Sequence, residues 1–362
     1  MSITEKYCTT TGAGAHDGSS EANAWSLTEA LSNAAAGQRV NVKKGTYTLA
    51  ANFAPTNAGT VSQPMIWRGY NSTIGDLDIT AVLNQKTLEI DATNMPLFDG
   101  GSSWAVIPTA HMIFEAIAVT QSGDRRSFQI NNTNIMAYLC KLECSGNSAN
   151  QAAVAIASAG GALCFCECNQ TNTGGSSFGA IYGTAAARIH GCRVRGKSSG
   201  STNAAIILAG GSSVTDTIAI HDGGIGINFN ATTNNSAVVN CTVIGANTDF
   251  WGINGVATIA PLIINCNGTD GGRFWNNANS GTSDRPVYRM FNRTRNNTNA
   301  DVGSADWPIY GAITADRGSD YVDLSGKTDY RLVNTSPALG AAQPGWKDTG
   351  ALQRKPAGMF IG

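Results

Sequence analysis

Leu139-Cys140-Lys141-Leu142, Phe165-Cys166-Glu167-Cys168, Gly191-Cys192-Arg193-Val194, Asn240-Cys241-Thr242-Val243 and Asn265-Cys266-Asn267 are five segments of one pattern. Their cysteines stand 26, 26, 49 and 25 residues apart, and 49 is two steps of about 24.5. One unit therefore lacks its cysteine, and the vacant position falls near Asp216 or Thr217. Counting back 26 from Cys140 lands on Phe114. A second set of apolar patches recurs out of phase at a similar interval: Val154-Ala-Ile156, Ala180-Ile-Tyr182, Ala205-Ile-Ile-Leu208, Gly226-Ile-Asn228 and Gly252-Ile-Asn254.

Short strands and Gly/Asn/Ser/Thr turns repeating about every 25 residues match one rung of a parallel β-helix. Three strands of a few residues close a rung, and each rung rises one strand spacing, roughly 4.8 Å. The period carries no leucine-rich consensus, and no Trp-Asp signature marks propeller blades. Residues of one register stack in columns. Inward columns take Cys, Val, Ile and Ala, while Glu167, Arg193 and Arg195 alternate with them and face out. On this reading Cys140, Cys166, Cys192, Cys241 and Cys266 form one inward column of thiols without disulfides. Serine at position 192 would bury a hydroxyl with no assured partner, at a cost of roughly 1–3 kcal/mol.

Composition agrees with an all-β chain dense in turns. Of 362 residues 49 are charged, or 14%, against roughly a quarter in average globular proteins. There are 42 glycines and 33 asparagines, and both types disfavour helix interiors. A net charge of −1 gives no electrostatic ground for a nucleic-acid or membrane partner. The longest apolar runs, such as Ala204–Ala209, fall far short of the ~20 residues that span a bilayer. Met1–Tyr7 shows no apolar signal region. Together with the odd count of nine cysteines, this leads us to expect synthesis in a reducing compartment.

At the N-terminal end Ser26-Leu-Thr-Glu29 reads as a capping box. Trp25, Leu27, Leu31 and Ala35 form an apolar stripe that stops at Gly37, so a short helix is expected over the open first rung. Between 273 and 322 the period is lost, and Trp275, Tyr288, Phe291, Trp307 and Tyr310 gather there. The expected organisation is an N-terminal strand and capping helix (1–50), β-helix rungs (51–272), an irregular C-terminal cap (273–353) and a tail (354–362).

The segment Tyr7–Ser20, followed by Trp25-Ser-Leu27, Gly37-Gln-Arg-Val-Asn-Val42 and Lys44-Gly-Thr-Tyr-Thr48, resembles the opening of right-handed parallel β-helix proteins of the pectate-lyase-like superfamily. Pro64-Met-Ile-Trp-Arg-Gly-Tyr70 is similar to their second-rung segment. Tyr330-Arg-Leu332, Ser336-Pro-Ala338 and Asp348-Thr-Gly-Ala-Leu-Gln353 resemble their closing motif. The resemblance covers nearly the whole chain and implies the fold. The superfamily includes lyases, hydrolases, epimerases, adhesins and phage virion proteins, so function has to come from a site.

Polysaccharide cleavage in that superfamily runs through carboxylates, or through a basic residue beside a calcium-binding acidic cluster. Asp222, Asn247 or Asp249, and Asp270 recur after the cysteine-bearing strands, with His221 and Arg273 close in sequence. Stacked carboxylates would stand about 5 Å apart on adjacent rungs and nearly 10 Å on alternate rungs, which brackets the retaining and inverting glycosidase geometries. Asp-Gly and Asn-Gly are equally ordinary turn dipeptides. The Arg-x-Pro-x-x-Arg element of pectate lyases is absent, and Asn267-Gly-Thr-Asp270 keeps only the Thr-Asp fragment of the polygalacturonase set. No catalytic residue, cofactor or metal set is therefore assigned, and the candidates Asp222, Asp249 and Asp270 are expected not to form a catalytic cluster. Cys164, Cys166 and Cys168, with Cys144, read as small core hydrophobes, since their spacing matches no usual zinc pattern. The sequons at Asn71, Asn240, Asn292 and Asn296 read as turn asparagines, and the aromatic group from Phe274 to Tyr310 as the core of a cap.

Two function classes follow. The first is a non-enzymatic phage surface protein (a capsid decoration, knob or tail-associated β-helix), made in the host cytoplasm and located on the virion. Its partners would be other virion proteins or copies of itself, met through Met359, Phe360 and Ile361, with host polysaccharide as a further ligand. Those three residues serve equally as a plug folded back on the last rung. The alternative is an extracellular polysaccharide lyase or glycoside hydrolase.

Overall fold

The computed structural model describes residues 3–246 apart from 124, 147–151, 172–178, 198–202 and 230–235, and beyond them 248–252, 262–264, 266–269, 273–277, 288–290, 293–295, 321–323 and 329–332. Among the described residues, parallel sheets of eleven, ten and seven strands enclose one core. The chain visits them in rotation. Ile135–Tyr138 lies in the eleven-stranded sheet, Lys141–Cys144 in the ten-stranded sheet and Val154–Ile156 in the seven-stranded sheet, and Gly161–Cys164 then begins the next turn. Every strand of the seven-stranded sheet belongs to a turn that also supplies the other two.

The thiol column is real, and its register is set by sheet pairing. Lys141, Glu167, Arg193, Ile218, Thr242 and Asn267 pair in succession across the ten-stranded sheet. The residues just before them are Cys140, Cys166, Cys192, Thr217, Cys241 and Cys266, all buried, and all nine cysteines are free thiols. Thr217 fills the vacant position. Two sequence expectations are corrected. Lys141 pairs with Ala118, so Ile117 precedes Cys140 in the column, and Phe114 instead opposes Ala137 in the eleven-stranded sheet. Ile227 pairs with Phe250, which takes the place expected for the Gly252-Ile-Asn254 patch. The reason is common to both: pairing holds the strands in register while corner loops absorb length differences, so a fixed count drifts.

Hydrogen bonding explains why this column takes cysteine or threonine. The column residues follow a corner, and at three of them the residue's own N–H meets a side chain of the next rung. The N–H of Cys166 donates to Cys192 Sγ (3.4 Å), that of Cys192 to Thr217 Oγ1 (3.3 Å) and that of Cys241 to Cys266 Sγ (3.4 Å). The thiol or hydroxyl in turn donates to the carbonyl two residues earlier: Cys192 to His190 (3.3 Å), Cys241 to Val239 (3.3 Å) and Thr217 to Thr215 (2.9 Å). A buried N–H without an acceptor would be costly. Serine offers the same donor and acceptor, so the serine expectation is revised. We expect Cys192→Ser to cost about 1 kcal/mol or less and Cys192→Val about 1–3 kcal/mol, because valine strands the Cys166 N–H. Chemical denaturation of the two variants measures the difference, and equal costs would refute the acceptor role.

One residue in the left-handed region makes each of these corners: Ala116, Leu139, Phe165, Gly191, Asp216 and Asn240, with φ between 51° and 62°. That conformation is uncommon for leucine and phenylalanine. It is held here by a continuous ladder in which Leu139 N–H donates to Cys164 O (3.1 Å), Phe165 to His190 O (2.8 Å) and Asp216 to Val239 O (3.1 Å).

The capping box forms as expected. Ser26 and Glu29 cap a helix over Leu27–Asn33, which sets Ala30 and Ala34 into the core with Leu27 and Leu31 packed against it. Ala35, expected in the stripe, is only half-buried because the helix ends before Ala34. The first turns are wide and are filled by aromatics: the Phe53 ring lies 4.8 Å from Trp67 and 5.0 Å from Phe98. Neither expected boundary interrupts the sheets. Thr4–Cys8 already belongs to the eleven-stranded sheet. Past residue 272, Arg273–Asn277, Tyr288–Met290 and Arg293–Arg295 continue the three sheets in turn. The steps from Thr248 to Arg273, Leu262 to Tyr288 and Asn267 to Arg293 are 25, 26 and 26 residues, so the period runs on as far as Arg295. Trp307, Tyr310, the tail and Met359, Phe360 and Ile361 lie outside the described residues.

Candidate functional site

Between strands Met65–Tyr70 and Leu97–Asp99 the chain inserts residues 71–96, which include a short helix, Ile79–Val82, and a hairpin of Leu83–Asn84 with Glu89–Ile90. Leu77, Val82, Leu88, Ile90 and Met95 bury themselves in one cluster with Ala116, Ala118 and Leu139. This burial drives the insertion onto the outer face of the ten-stranded sheet.

Under the hairpin lies an ion cluster built by register. Lys141, Glu167 and Arg193 are outward residues on three successive rungs, so alternate charges stack one strand spacing apart. Glu167 is 4% exposed. Its Oε2 accepts from the Ile90 N–H at 2.7 Å and its Oε1 from Asn169 Nδ2 at 2.7 Å. Lys141 Nζ stands 3.8 Å from Oε2, and an Arg193 guanidinium nitrogen 3.5 Å from Oε1. Arg193 also reaches Glu89 at 3.0 Å, and Lys141 reaches Glu143 at 3.6 Å. The hairpin is thus tied to the sheet by a buried carboxylate.

Beside it opens a cleft of about 440 Å³ lined by residues 81–84, Glu89, Ile90, Asp91, Lys141 and Glu167. Three carboxylates and one ammonium line it. Asp91 is exposed, and hydrogen bonds from the Thr93 side chain and N–H hold its carboxyl below the usual range, so it stays ionised. Fixed carboxylates that accept from vicinal hydroxyls, with an ammonium as donor, suit a polyhydroxylated ligand.

The sequence candidates do not share one place. Asp222 follows strand Ile218–His221 of the ten-stranded sheet, is exposed and pairs with Arg195 at 3.3 Å. Asp249 falls within strand Thr248–Gly252 of the seven-stranded sheet. Pairing of Ile220 with Ile244 places Ala246 opposite Asp222 in the next rung. Asp222 and Asp249 are therefore not register partners. Asp270 lies outside the described residues. His221 points inward: it is fully buried, in the space left by Gly196, whose Cβ would meet His221 Cδ2 at 2.7 Å. The thiols are not reactive groups either. Burial pushes Cys140, Cys166 and Cys168 well up, and protonated thiols are poor nucleophiles and ligands. Cys164 sits outside, on the eleven-stranded sheet, so the C-x-C-x-C run does not share one face. The cleft residues Lys141 and Glu167 had one legible signal, opposite charges at the same offset after Cys140 and Cys166.

No protein-family model matches the chain, and no curated protein matches it in sequence. Among solved structures, pectate lyase Pel9A superposes with a TM-score of 0.60 at 13% identity, covering 98% of each chain. A rhamnogalacturonan lyase gives a TM-score of 0.56 at 12% identity over 89% of this chain and 91% of its own. At these identities the likeness is one of architecture. The fold is the right-handed parallel β-helix of pectate-lyase-like proteins.

Proposed function

We propose that the protein is a polysaccharide-cleaving β-helix that binds its substrate in the cleft beneath the 71–96 insertion. The carrying observation is the opening of about 440 Å³ lined by Lys141 together with Glu89, Asp91 and Glu167. In this reading Lys141 and the exposed Asp91 contact the sugar, and Glu167 and Arg193 position Lys141 and the hairpin. The β-helix likeness to two polysaccharide lyases favours this class over a purely structural one.

The test incubates the full chain with pectate, rhamnogalacturonan, alginate and neutral glucans, and follows new reducing ends and ultraviolet absorbance together. Elimination raises both signals, whereas hydrolysis raises only the first. We expect cleavage of at least one polymer and a loss of roughly 100-fold or more in Lys141→Ala and Asp91→Asn. No new reducing ends from any polymer overturns the enzymatic reading.

A second reading has one observation in its favour. A core column of free thiols suits synthesis in a reducing compartment, the setting in which a phage surface protein is made. Assembly through the C-terminal Met359, Phe360 and Ile361 belongs to that reading. Co-purification with particles, without turnover, is its expected result.

A further inference from the structure

The insertion makes the cleft acidic. Its second strand runs extended through Asp91: Leu83 pairs with Ile90, and the Asp91 N–H donates to Val82 O at 2.8 Å. Side chains alternate along such a segment. Ile90 turns into the apolar cluster, so Glu89 and Asp91 share the other side, with Cα atoms roughly 7 Å apart. Both line the cleft with Lys141 and Glu167. Counting the groups paired to these, two cations (Lys141 and Arg193) stand against four carboxylates (Glu89, Asp91, Glu143 and Glu167). Lys86 sits at the hairpin turn and does not line the cleft. The whole chain carries a net charge of only −1, so this excess of carboxylates is local.

The cations are already engaged. Lys141 Nζ is shared between Glu143 at 3.6 Å and Glu167 at 3.8 Å. Arg193 is buried, held between Glu89 and Glu167. Neither can neutralise an entering carboxylate without releasing one that it holds. The accessible groups are acidic instead: Asp91 is exposed, and the Glu89 side chain is 45% exposed.

We propose that the cleft takes a sugar unit without a carboxylate, and takes it best when that unit carries an amine, whose ammonium Asp91 and Glu89 receive. The inference rests on the glycan reading of the cleft and narrows it. A uronate would bring a like charge to a site where carboxylates already outnumber cations, a penalty that salt screens. Elimination beside a uronate carboxyl also needs cations for the charge that builds there, and this cleft has none to spare. Sugar hydroxyls meet no such penalty, since they donate to carboxylates and accept from Lys141. Cleavage should therefore raise reducing ends in neutral glucans without ultraviolet absorbance, and leave pectate and alginate intact.

Titration of the full chain with glucosamine, glucose and glucuronate tests the charge preference directly. It is followed through the amide resonances of Ile90 and Asp91 at about pH 6, below the ordinary range of an amine. We expect glucosamine to bind roughly tenfold tighter than glucose, glucuronate weakest, and the three to converge as salt is raised. Asp91→Asn keeps an acceptor for the Thr93 N–H, 2.9 Å away, so the turn is preserved. It should remove most of the glucosamine-to-glucose ratio, in which any general weakening cancels. An unchanged ratio overturns the role of Asp91. Glucuronate binding as tightly as glucosamine, or cleavage of pectate or alginate alone, overturns the inference and leaves the glycan cleft standing. No shift at Ile90 or Asp91 with any of the three sugars overturns the cleft reading and the inference with it.

Discussion

Glu167→Ala is expected to lower the unfolding free energy by about 3–5 kcal/mol, the cost of breaking one side of a buried ion pair. The substitution leaves the Ile90 N–H without its acceptor, 2.7 Å away in the native protein, and removes the carboxylate between Lys141 and Arg193. Arg193, 6% exposed, would keep only Glu89. Glu167→Gln retains an acceptor for Ile90 and should cost less. Replacing Glu167 and Arg193 together by leucine should cost less than the two single changes combined, because no unpaired charge stays buried. Urea denaturation gives the energies. Hydrogen exchange at Ile90 gives the location, since its amide should lose protection before the strand amides of the sheet beneath. A mild loss with Ile90 still protected would mean that the hairpin is held by its apolar contacts alone.

Acidification from about pH 6.5 to about pH 4 is expected to remove roughly 3 kcal/mol through His221. The Gly224 N–H donates to His221 Nδ1 at 2.7 Å, so the neutral ring carries its proton on Nε2, which has no hydrogen-bond partner among the described residues. Burial pushes this imidazole down to about 4, opposed only in part by the charge of Asp222. Arg195, bound to Asp222 at 3.3 Å, also stands at this corner, and Lys197 follows the Gly196 that pairs with His221. In the unfolded chain the ring takes up a proton near pH 6.5. Between the two values the unfolded state binds more protons, so stability is complete above about pH 6.5 and falls as pH drops toward 4. Carboxylates such as Glu29, held at about 2 by His16 and Ser26, begin to lose their contribution as pH falls through the unfolded value near 4.5, at the acid end of this window, so the His221 share is the difference between the wild-type protein and the variant. His221→Gln should flatten the window, and the same interior column already holds Gln121 and Gln170. Equal slopes for the wild-type protein and the variant would remove His221 as the cause.

The repeat was legible because stacked rungs demand the same small, hydrogen-bonding residue at one corner. Cysteine at that corner leaves a visible spacing, and Thr217 shows what the corner selects for, a side chain that both donates and accepts. All-β class, rung length, capping box and the direction of Glu167 and Arg193 follow from such local rules. The pairing of charges into a site does not. Lys141, Glu167 and Arg193 come from three rungs and Glu89 from an insertion, and only sheet register brings them within reach. His221 and Asp222 adjoin in sequence, yet one lies in the core and the other in solvent, because Gly196 in the rung above leaves room for one ring. Asp222 and Asp249 look equivalent by counting, yet they stand 27 residues apart where pairing steps 24 from Ile220 to Ile244 and 23 from Ile225 to Thr248, so Asp222 sits at the corner and Asp249 within the strand that follows it. Periodicity is a property of one strand and its corner and is written in the chain. A site on a solenoid is a property of neighbouring rungs, and it appears only once loop lengths have been resolved into register.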